Sequence, residues 1–269
     1  MWKALLLGAV EGITEYLPVS STGHLLVAAR MLGLGDVSDG SALGTYVIAV
    51  QVGAILAVLG LYRERFRSLA VAAVGGAVEV RSLAIAIIVA FIPAGVVGSL
   101  LAPTIKAHLF SAWPIVAAWA VGGLVLLVWA PSPRFDGTQI LGVSVRQAVV
   151  IGGAQVLAVW PGTSRSLVTL LAGLGVGLTI AAAIEFTFLL GALTLTAATV
   201  WDLARSGPEL VEAFGWAPPA AGALAALLTA LASVRWMTRY LEHRPMRVFG
   251  YYRLGLASIV ALMLSVGML

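Results

Sequence analysis

The sequence contains no cysteine and few charged residues. The absence of cysteine excludes disulfide bonds, thiolate catalysis and cysteine-ligated metals. Charged residues make up 10% of the 269 residues, against about 25% in soluble domains, and 61% of the residues are hydrophobic. Because so few charges cannot cover a water-facing surface, the sequence predicts an integral membrane protein. The sequence has no basic run long enough to indicate nucleic-acid binding. In a membrane protein, a net charge of +4 more often reflects basic residues in the loops on one side of the membrane.

Six apolar stretches reach the length of about 20 residues that spans a bilayer. They lie at residues 43–62, 82–102, 112–130, 180–200, 217–234 and 248–269. Two further apolar regions, 4–33 and 148–178, are interrupted by Pro18 and Pro161 together with small hydroxylated residues. Because each half is too short to span, we expect two re-entrant helix-loop-helix hairpins, with a kinked full span as the alternative.

The order of these segments is hairpin, three spans, hairpin, three spans, which predicts an internal duplication. We expect one membrane domain, residues 1–269, with a first unit at 1–130 and a second at 148–269. The two breaks are 143 residues apart when Pro18 is aligned with Pro161. A hairpin returns to the side from which it enters, and three spans carry the chain to the other side. The second unit therefore enters the membrane from the side opposite to the first. The predicted fold is an all-α membrane protein with six transmembrane helices and two re-entrant hairpins in an inverted-topology repeat.

Lysine and arginine counts predict the orientation, because cytoplasmic loops are enriched in them. Eleven basic residues fall on one predicted face: Arg63, Arg65, Arg67, Arg81, Arg134, Arg146, Arg235, Arg239, Arg244, Arg247 and Arg253. The other face holds Lys3, Arg30, Lys106 and Arg205, with Asp36, Asp39, Asp202, Glu209 and Glu212. We therefore expect both termini and the first hairpin on the outer side of the plasma membrane, and a second hairpin that enters from the cytoplasm.

Glu11 and Glu15 are four residues apart in an apolar helix, so both carboxylates lie on one face. Like charges at this spacing repel unless a cation or a proton lies between them. The pair is therefore a candidate ligand set for a divalent cation, Mg²⁺ or Ca²⁺. The alternative is that the two glutamates face a water-filled vestibule or pair with arginine.

The first break carries Ser20, Ser21 and Thr22, followed by His24. A helix N-terminus with free N–H groups is a ready anion site, and hydroxyls there can donate to phosphate. Ser21 and His24 are three residues apart, so we expect the imidazole to reach either the hydroxyl or a bound phosphate.

The second break supplies positive charge through Arg165, which lies between Ser164 and Ser166. A guanidinium suits bidentate recognition of phosphate. If the two breaks meet near the midplane, both helix N-termini, Arg165 and a metal would favour a phosphate or diphosphate. Arg165 could also be a structural partner of a glutamate, and Glu185 could be a second partner of Arg165 or a simple interfacial residue.

Two motifs, EGITEYLPVSSTGH at residues 11–24 and PGTSRS at residues 161–166, resemble the paired signature of the undecaprenyl pyrophosphate phosphatase family, also called the bacitracin-resistance family. QVGAILAVL at residues 51–59 and SVRWMTRYLEHRPMRVFGYYRLGLA at residues 233–257 are also similar to that family. The resemblance thus covers the chain from end to end.

The resemblance implies a membrane hydrolase that converts undecaprenyl diphosphate to undecaprenyl phosphate, the lipid carrier of cell-wall synthesis. It implies these catalytic residues: Glu11, Glu15, Ser21, His24 and Arg165. It implies a further polar lining of Ser20, Thr22, Ser164, Ser166 and Thr169. Two positions depart from the family pattern, because Leu167 replaces a usual glycine and Leu193 lies near a usual proline.

We expect metal-assisted hydrolysis, with Ser21 or His24 as the nucleophile or with His24 as acid or base for a water. The prenyl tail would lie along the apolar spans. The alternative is an inverted-repeat transporter or flippase of an anionic lipid, or a protein that combines both activities. The sequence leaves the oligomeric state open, including a homodimer.

Overall fold

The computed structural model describes residues 1–35, 41–72, 74–129 and 135–269. Within these ranges the chain forms eleven α-helices. They are α1 (Trp2–Thr14), α2 (Ser21–Met31), α3 (Ala42–Leu61), α4 (Arg63–Ala72), α5 (Val78–Leu109), α6 (Ala112–Trp129), α7 (Val145–Gln155), α8 (Arg165–Gly175), α9 (Ile180–Phe214), α10 (Ala217–His243) and α11 (Arg247–Ser265). Asp36, Asp39 and Arg134, on which the predicted orientation partly depends, lie outside the described residues.

Six helices of the described chain are long and apolar enough to cross a membrane, namely α3, α5, α6, α9, α10 and α11. Each one contains most or all of one of the six predicted spans. The chain is therefore an all-helical, multi-pass membrane protein, as its composition predicted.

Some helices extend beyond their predicted apolar stretches. Helix α9 has 35 residues and ends only where Gly215 adopts φ of 67°. Helix α4 occupies part of a region that was expected to be a basic loop. Hydropathy marks the part of a helix that lies in lipid, whereas the backbone hydrogen bonds continue until a residue stops them.

The two interrupted regions each form a pair of short helices, α1 with α2 and α7 with α8. Helices α2 and α8 both have 11 residues, which is about 16 Å and too short to span a bilayer. Ser20 and Ser164 immediately precede these helices, and they are the only two non-glycine residues with positive φ in the described chain, at 72° and 76°. Ser20 and Ser164 are 144 residues apart. The offset between the two units is therefore one residue larger in the backbone than the 143 residues between Pro18 and Pro161.

Glycine contacts bring each pair against a long helix. Gly8 of α1 packs against Gly222 of α10, and Gly152 of α7 packs against Ala90 of α5. A Cβ at Gly8 or Gly152 would collide with the backbone of the opposing helix. The absence of side chains at these two positions therefore allows the helices before both breaks to approach their partners closely.

Hydrogen bonds tie the two breaks to each other. Ser166 Oγ donates to the carbonyl of Leu17 at 2.8 Å. The guanidinium of Arg253, on α11, donates to the carbonyls of Pro18 at 3.3 Å and of Gly162 at 2.9 Å. It also donates to the carbonyls of Ala118 and Trp119 in α6.

Arg253 was counted with the basic cytoplasmic face, although residue 253 also falls within the predicted span 248–269. Its place on that face is wrong, because this side chain is fully buried between the two breaks. A planar guanidinium has five donors in a fixed fork, so one buried arginine can satisfy several carbonyls of irregular backbone. Charge counting along the sequence could not reveal this contact.

Candidate active site

A polar cavity of about 220 Å³ lies where the two breaks meet. The first break contributes Glu15, Ser20, Ser21 and Thr22, and the second contributes Trp160, Pro161, Gly162, Ser164 and Arg165. The walls are completed by Gln51, Ala94, Gln155, Ala158, Val159, Thr194 and Leu195. The expected meeting of the two breaks is thus confirmed for the residues that line this cavity.

Arg165 forms a buried ion pair with Glu15. Its Nη2 is 2.8 Å from Glu15 Oε1, and the two side chains are only 10% and 6% exposed. Nη1 donates to the carbonyl of Thr187 at 3.4 Å, and the guanidinium lies 5.6 Å from the ring centre of Tyr16. Arg165 Nε has no hydrogen-bond partner in the ranges that the structure describes. The pair therefore fixes the guanidinium and leaves donor capacity for a ligand.

Ser21 is bonded to the other oxygen of the same carboxylate. Its hydroxyl donates a hydrogen bond to Glu15 Oε2. Glu15 thus bridges a hydroxyl at the start of α2 and a guanidinium at the start of α8. A carboxylate that already accepts a hydroxyl proton is suited to remove it, which is the relation between an oxygen nucleophile and its base.

Glu11 lies one helical turn before Glu15 and is fully buried. Within the described part of the chain, neither of its carboxylate oxygens has a hydrogen-bond partner. A buried carboxylate without a partner is costly, so this group needs a cation or a proton. The described residues contain no group of three or more His, Cys, Asp or Glu that could hold a metal. The donor set fits a divalent cation only if a bound ligand or water supplies the remaining oxygens.

The N-termini of α2 and α8 both open at the cavity. Ser164 caps α8 by accepting a hydrogen bond from the Leu167 N–H at 3.3 Å. Ser20 stands at the equivalent position before α2, where its side chain makes no capping hydrogen bond. The first N–H groups of α2 are thus available to an anion in the cavity, and the helix dipole favours negative charge there.

His24 does not line the cavity and is held by other groups. Its Nδ1 lies 2.7 Å from the carbonyl of Ser20, and its Nε2 lies 2.7 Å from the hydroxyl of Tyr252. A carbonyl can only accept, so Nδ1 is the protonated nitrogen, and Nε2 of the neutral ring accepts from Tyr252. Both ring nitrogens are thus engaged by groups other than the Ser21 hydroxyl.

The remaining predicted binding residues divide into two groups. Ser20, Thr22 and Ser164 line the cavity. Ser166 and Thr169 do not line it, because Ser166 bonds to the carbonyl of Leu17 and Thr169 Oγ1 donates to the carbonyl of Arg165 at 2.9 Å. These two hydroxyls support the backbone of the break rather than the cavity wall.

Glu185 pairs with a different arginine from the one considered in the sequence analysis. Its Oε1 lies 2.6 Å from Nε of Arg65 on α4. The interpretation of Glu185 as a second partner of Arg165 is therefore wrong. Helix α4 was not predicted, so the contact between Arg65 and α9 could not be expected from the sequence.

Sequence reasoning missed four polar or aromatic groups in the cavity wall: Gln51, Gln155, Trp160 and Thr194. Gln51 opens a stretch that carries the family resemblance, and Gln155 and Trp160 precede the second motif closely. A polar amide within an otherwise apolar helix was the available signal.

Together, the fold and the cavity define a multi-pass membrane protein whose buried carboxylates, hydroxyls and guanidinium suit a phosphate-bearing ligand. Residues 4–259 match the family model described as bacitracin resistance protein BacA. The chain belongs to this family, which confirms the resemblance noted in its motifs.

Several curated relatives are similar over nearly the whole chain. A Thermus thermophilus protein named undecaprenyl-diphosphatase is 43% identical over 263 residues, covering 97% of this chain and 96% of the relative. Proteins of the same name from Sorangium cellulosum and Nitrosomonas europaea are 40% and 39% identical. The Sorangium alignment covers 96% of this chain and 85% of the relative, and the Nitrosomonas alignment covers 97% and 93%.

Proposed function

We propose that this protein is an undecaprenyl-diphosphatase, a membrane hydrolase that cleaves undecaprenyl diphosphate to undecaprenyl phosphate and phosphate. The observation that carries the proposal is the bridge from Ser21 through Glu15 to Arg165 inside a polar cavity. The relatives that bear this enzyme name align with nearly the whole chain, including both breaks. The product would return to cell-wall synthesis, and bacitracin resistance would follow from the same reaction.

The diphosphate would bind where the two helix N-termini converge. Arg165 would donate from the nitrogens that Glu15 leaves unoccupied, and the uncapped N–H groups of α2 would donate to the terminal phosphoryl group. Preorganised donors in a cavity of low dielectric stabilise the charge that develops during phosphoryl transfer.

Ser21 is the preferred nucleophile among the three left open by the sequence. Its Oγ would attack the terminal phosphorus while Glu15 accepts the hydroxyl proton. The bond to the bridging oxygen then breaks, and undecaprenyl phosphate leaves with the electron pair. Water would hydrolyse the phosphoserine and regenerate the hydroxyl. His24 is less suited to attack, because both of its nitrogens are engaged outside the cavity; its role would be to hold the Ser20 carbonyl at the break.

Glu11 and Glu15 would hold Mg²⁺ or Ca²⁺. When bound, the cation would offset the charge of the diphosphate and of the two carboxylates. The buried oxygens of Glu11 support this role, since neither of them accepts a hydrogen bond from the described residues.

The finer architecture that we propose is an inverted-topology repeat with two re-entrant hairpins. It is supported by the matching backbone at Ser20 and Ser164 and by the equal lengths of α2 and α8. Such repeats are also typical of transporters, so a flippase of an anionic lipid remains the second candidate. The hydroxyl bonded to a carboxylate favours chemistry, because passage through a protein needs no base beside a hydroxyl.

We propose that the cavity faces the outer side of the membrane, because the arginines of α4 and those at the junction of α10 and α11, Arg239, Arg244 and Arg247, favour the cytoplasm. The prenyl tail would remain in lipid beside the long helices. A homodimer stays a prediction, and the mass of the purified particle in detergent would check it.

The test is phosphate release from undecaprenyl diphosphate by the purified protein in detergent, with Mg²⁺ or Ca²⁺ and with EDTA. We expect release that EDTA abolishes and that Ser21→Ala and Arg165→Ala reduce by orders of magnitude. His24→Ala, measured beside them, should retain more activity than Ser21→Ala if Ser21 is the nucleophile. If no phosphate is released with any divalent cation, the lipid transporter is favoured. Full activity of Ser21→Ala would exclude Ser21 as the nucleophile.

A further inference from the structure

One buried side chain in the cavity wall has no hydrogen-bond partner among the described residues and no role in the proposed reaction. Gln155, the last residue of α7, is 1% exposed and lines the cavity. Neither the nitrogen nor the oxygen of its amide has a hydrogen-bond partner among the described residues. Burying an unpaired amide costs free energy, so a protein that keeps one at a cavity wall has positioned it for a ligand.

The fold holds Gln155 firmly in this position. Gly152, one turn earlier, packs against Ala90 of α5 so closely that a Cβ would collide. One turn further along α5, the small side chain of Ala94 lines the same cavity as Gln155. After Gln155 the α-helix gives way to a 3-10 turn, Val156–Val159, that leads into the second break.

The correspondence between the two helix pairs gives a second argument. Applied along the chain, the 144-residue separation of Ser20 and Ser164 pairs Glu11 with Gln155. Both residues precede a break, both are buried, and both have polar atoms without partners. The two units thus place an acid in one position and a neutral amide in the other, which suits a site that must hold a cation and an anion together.

We propose that Gln155 is a substrate-binding residue whose side-chain amide donates a hydrogen bond to a non-bridging oxygen of the lipid diphosphate. This inference rests on the proposed function. The charged side chains that line the cavity are Glu15 and Arg165, which already pair with each other. A neutral N–H donor from a third segment adds attraction for the phosphate without a further charge to desolvate.

The experiment compares Gln155→Leu and Gln155→Glu with the wild type in detergent, and Gln139→Leu, at an exposed position, is the matched control. Losing a hydrogen bond to a charged group should lower kcat/KM for undecaprenyl diphosphate roughly 10- to 100-fold in Gln155→Leu. Gln155→Glu should lose more, because its carboxylate repels the substrate. If the amide oxygen instead binds the cation, Gln155→Glu will equal or exceed the wild type, which overturns the proposal.

Two further readouts separate binding from folding and from the reaction. Gln155→Leu should melt at or above the wild-type temperature, because it removes an unpaired buried polar group; a lower melting temperature with unchanged kcat/KM would mean that the amide is structural. Binding of inorganic pyrophosphate, measured by calorimetry, should weaken in Gln155→Leu and not in Gln139→Leu. That measurement decides the role of Gln155 even if the wild type releases no phosphate, and unchanged pyrophosphate affinity would overturn it.

Discussion

The buried ion pair between Arg165 and Glu15 allows the roles of one residue in folding and in catalysis to be measured separately. Arg165→Met removes the cation and leaves two buried carboxylates, Glu11 and Glu15, one helical turn apart. The pair is short, at 2.8 Å, and its side chains are 10% and 6% exposed, so water can offset little of the lost interaction. Removing one partner of such a pair costs about 3–5 kcal/mol.

The second variant, Arg165→Met with Glu15→Gln, replaces the whole pair by neutral groups of similar size. Because replacing a buried pair is often close to neutral, we expect it to recover most of the lost stability. Activity should not recover, since the phosphate has lost its guanidinium and Ser21 has lost its base. Loss of one preorganised donor alone corresponds to about 10²- to 10³-fold in turnover.

The assay combines thermal unfolding in detergent with phosphate release by the same preparations. The expected pattern is low stability and low activity for the single variant, then near-normal stability and low activity for the double variant. If the double variant is as unstable as Arg165→Met, the loss of stability does not come from the unpaired carboxylate of Glu15. Near-normal turnover in either variant would remove Arg165 from the site.

Three further variants test individual residues of the site and of the two breaks. Gly191→Ala should strongly reduce activity, because its Cβ would collide with the guanidinium of Arg165, whereas Gly153→Ala, which meets open space, should retain it; equal activities would contradict the geometry. Glu11→Gln should raise the divalent cation concentration needed for half-maximal phosphate release, and an unchanged titration would exclude Glu11 as a ligand. Arg253→Met should lower the melting temperature by leaving carbonyls at both breaks without donors, so an unchanged melting temperature would count against that tie.

The sequence was sufficient for the features that depend on local pattern. Apolar length predicted the six long helices, and each Pro with its neighbouring hydroxyls predicted where the shorter helices break. The types of residue at the breaks predicted that Glu15, Ser21 and Arg165 would share one polar environment, and all three line one cavity.

Contacts between distant segments could not be predicted in this way. Helical spacing alone led us to expect that His24 would reach either the Ser21 hydroxyl or a bound phosphate, yet Tyr252, which is 228 residues away in sequence, holds its Nε2. Arg253 was counted with the basic face although it lies within the predicted span 248–269, and its carbonyl partners at Pro18 and Gly162 belong to distant segments. Gln155 shows in the sequence only as an amide in an otherwise apolar helix, and the structure was needed to place it in the cavity wall.

The packing of α1 has a consequence for how the protein is made. Helix α1 is synthesised before the segments that it packs against, because its close glycine contact is with Gly222 of α10 and Glu15 pairs with Arg165, 150 residues later. Until Arg165 has been made, Glu15 lacks this partner, and apolar lipid is a costly environment for a carboxylate. Helix α1 therefore reaches its final packing only after α8 and α10 have entered the membrane.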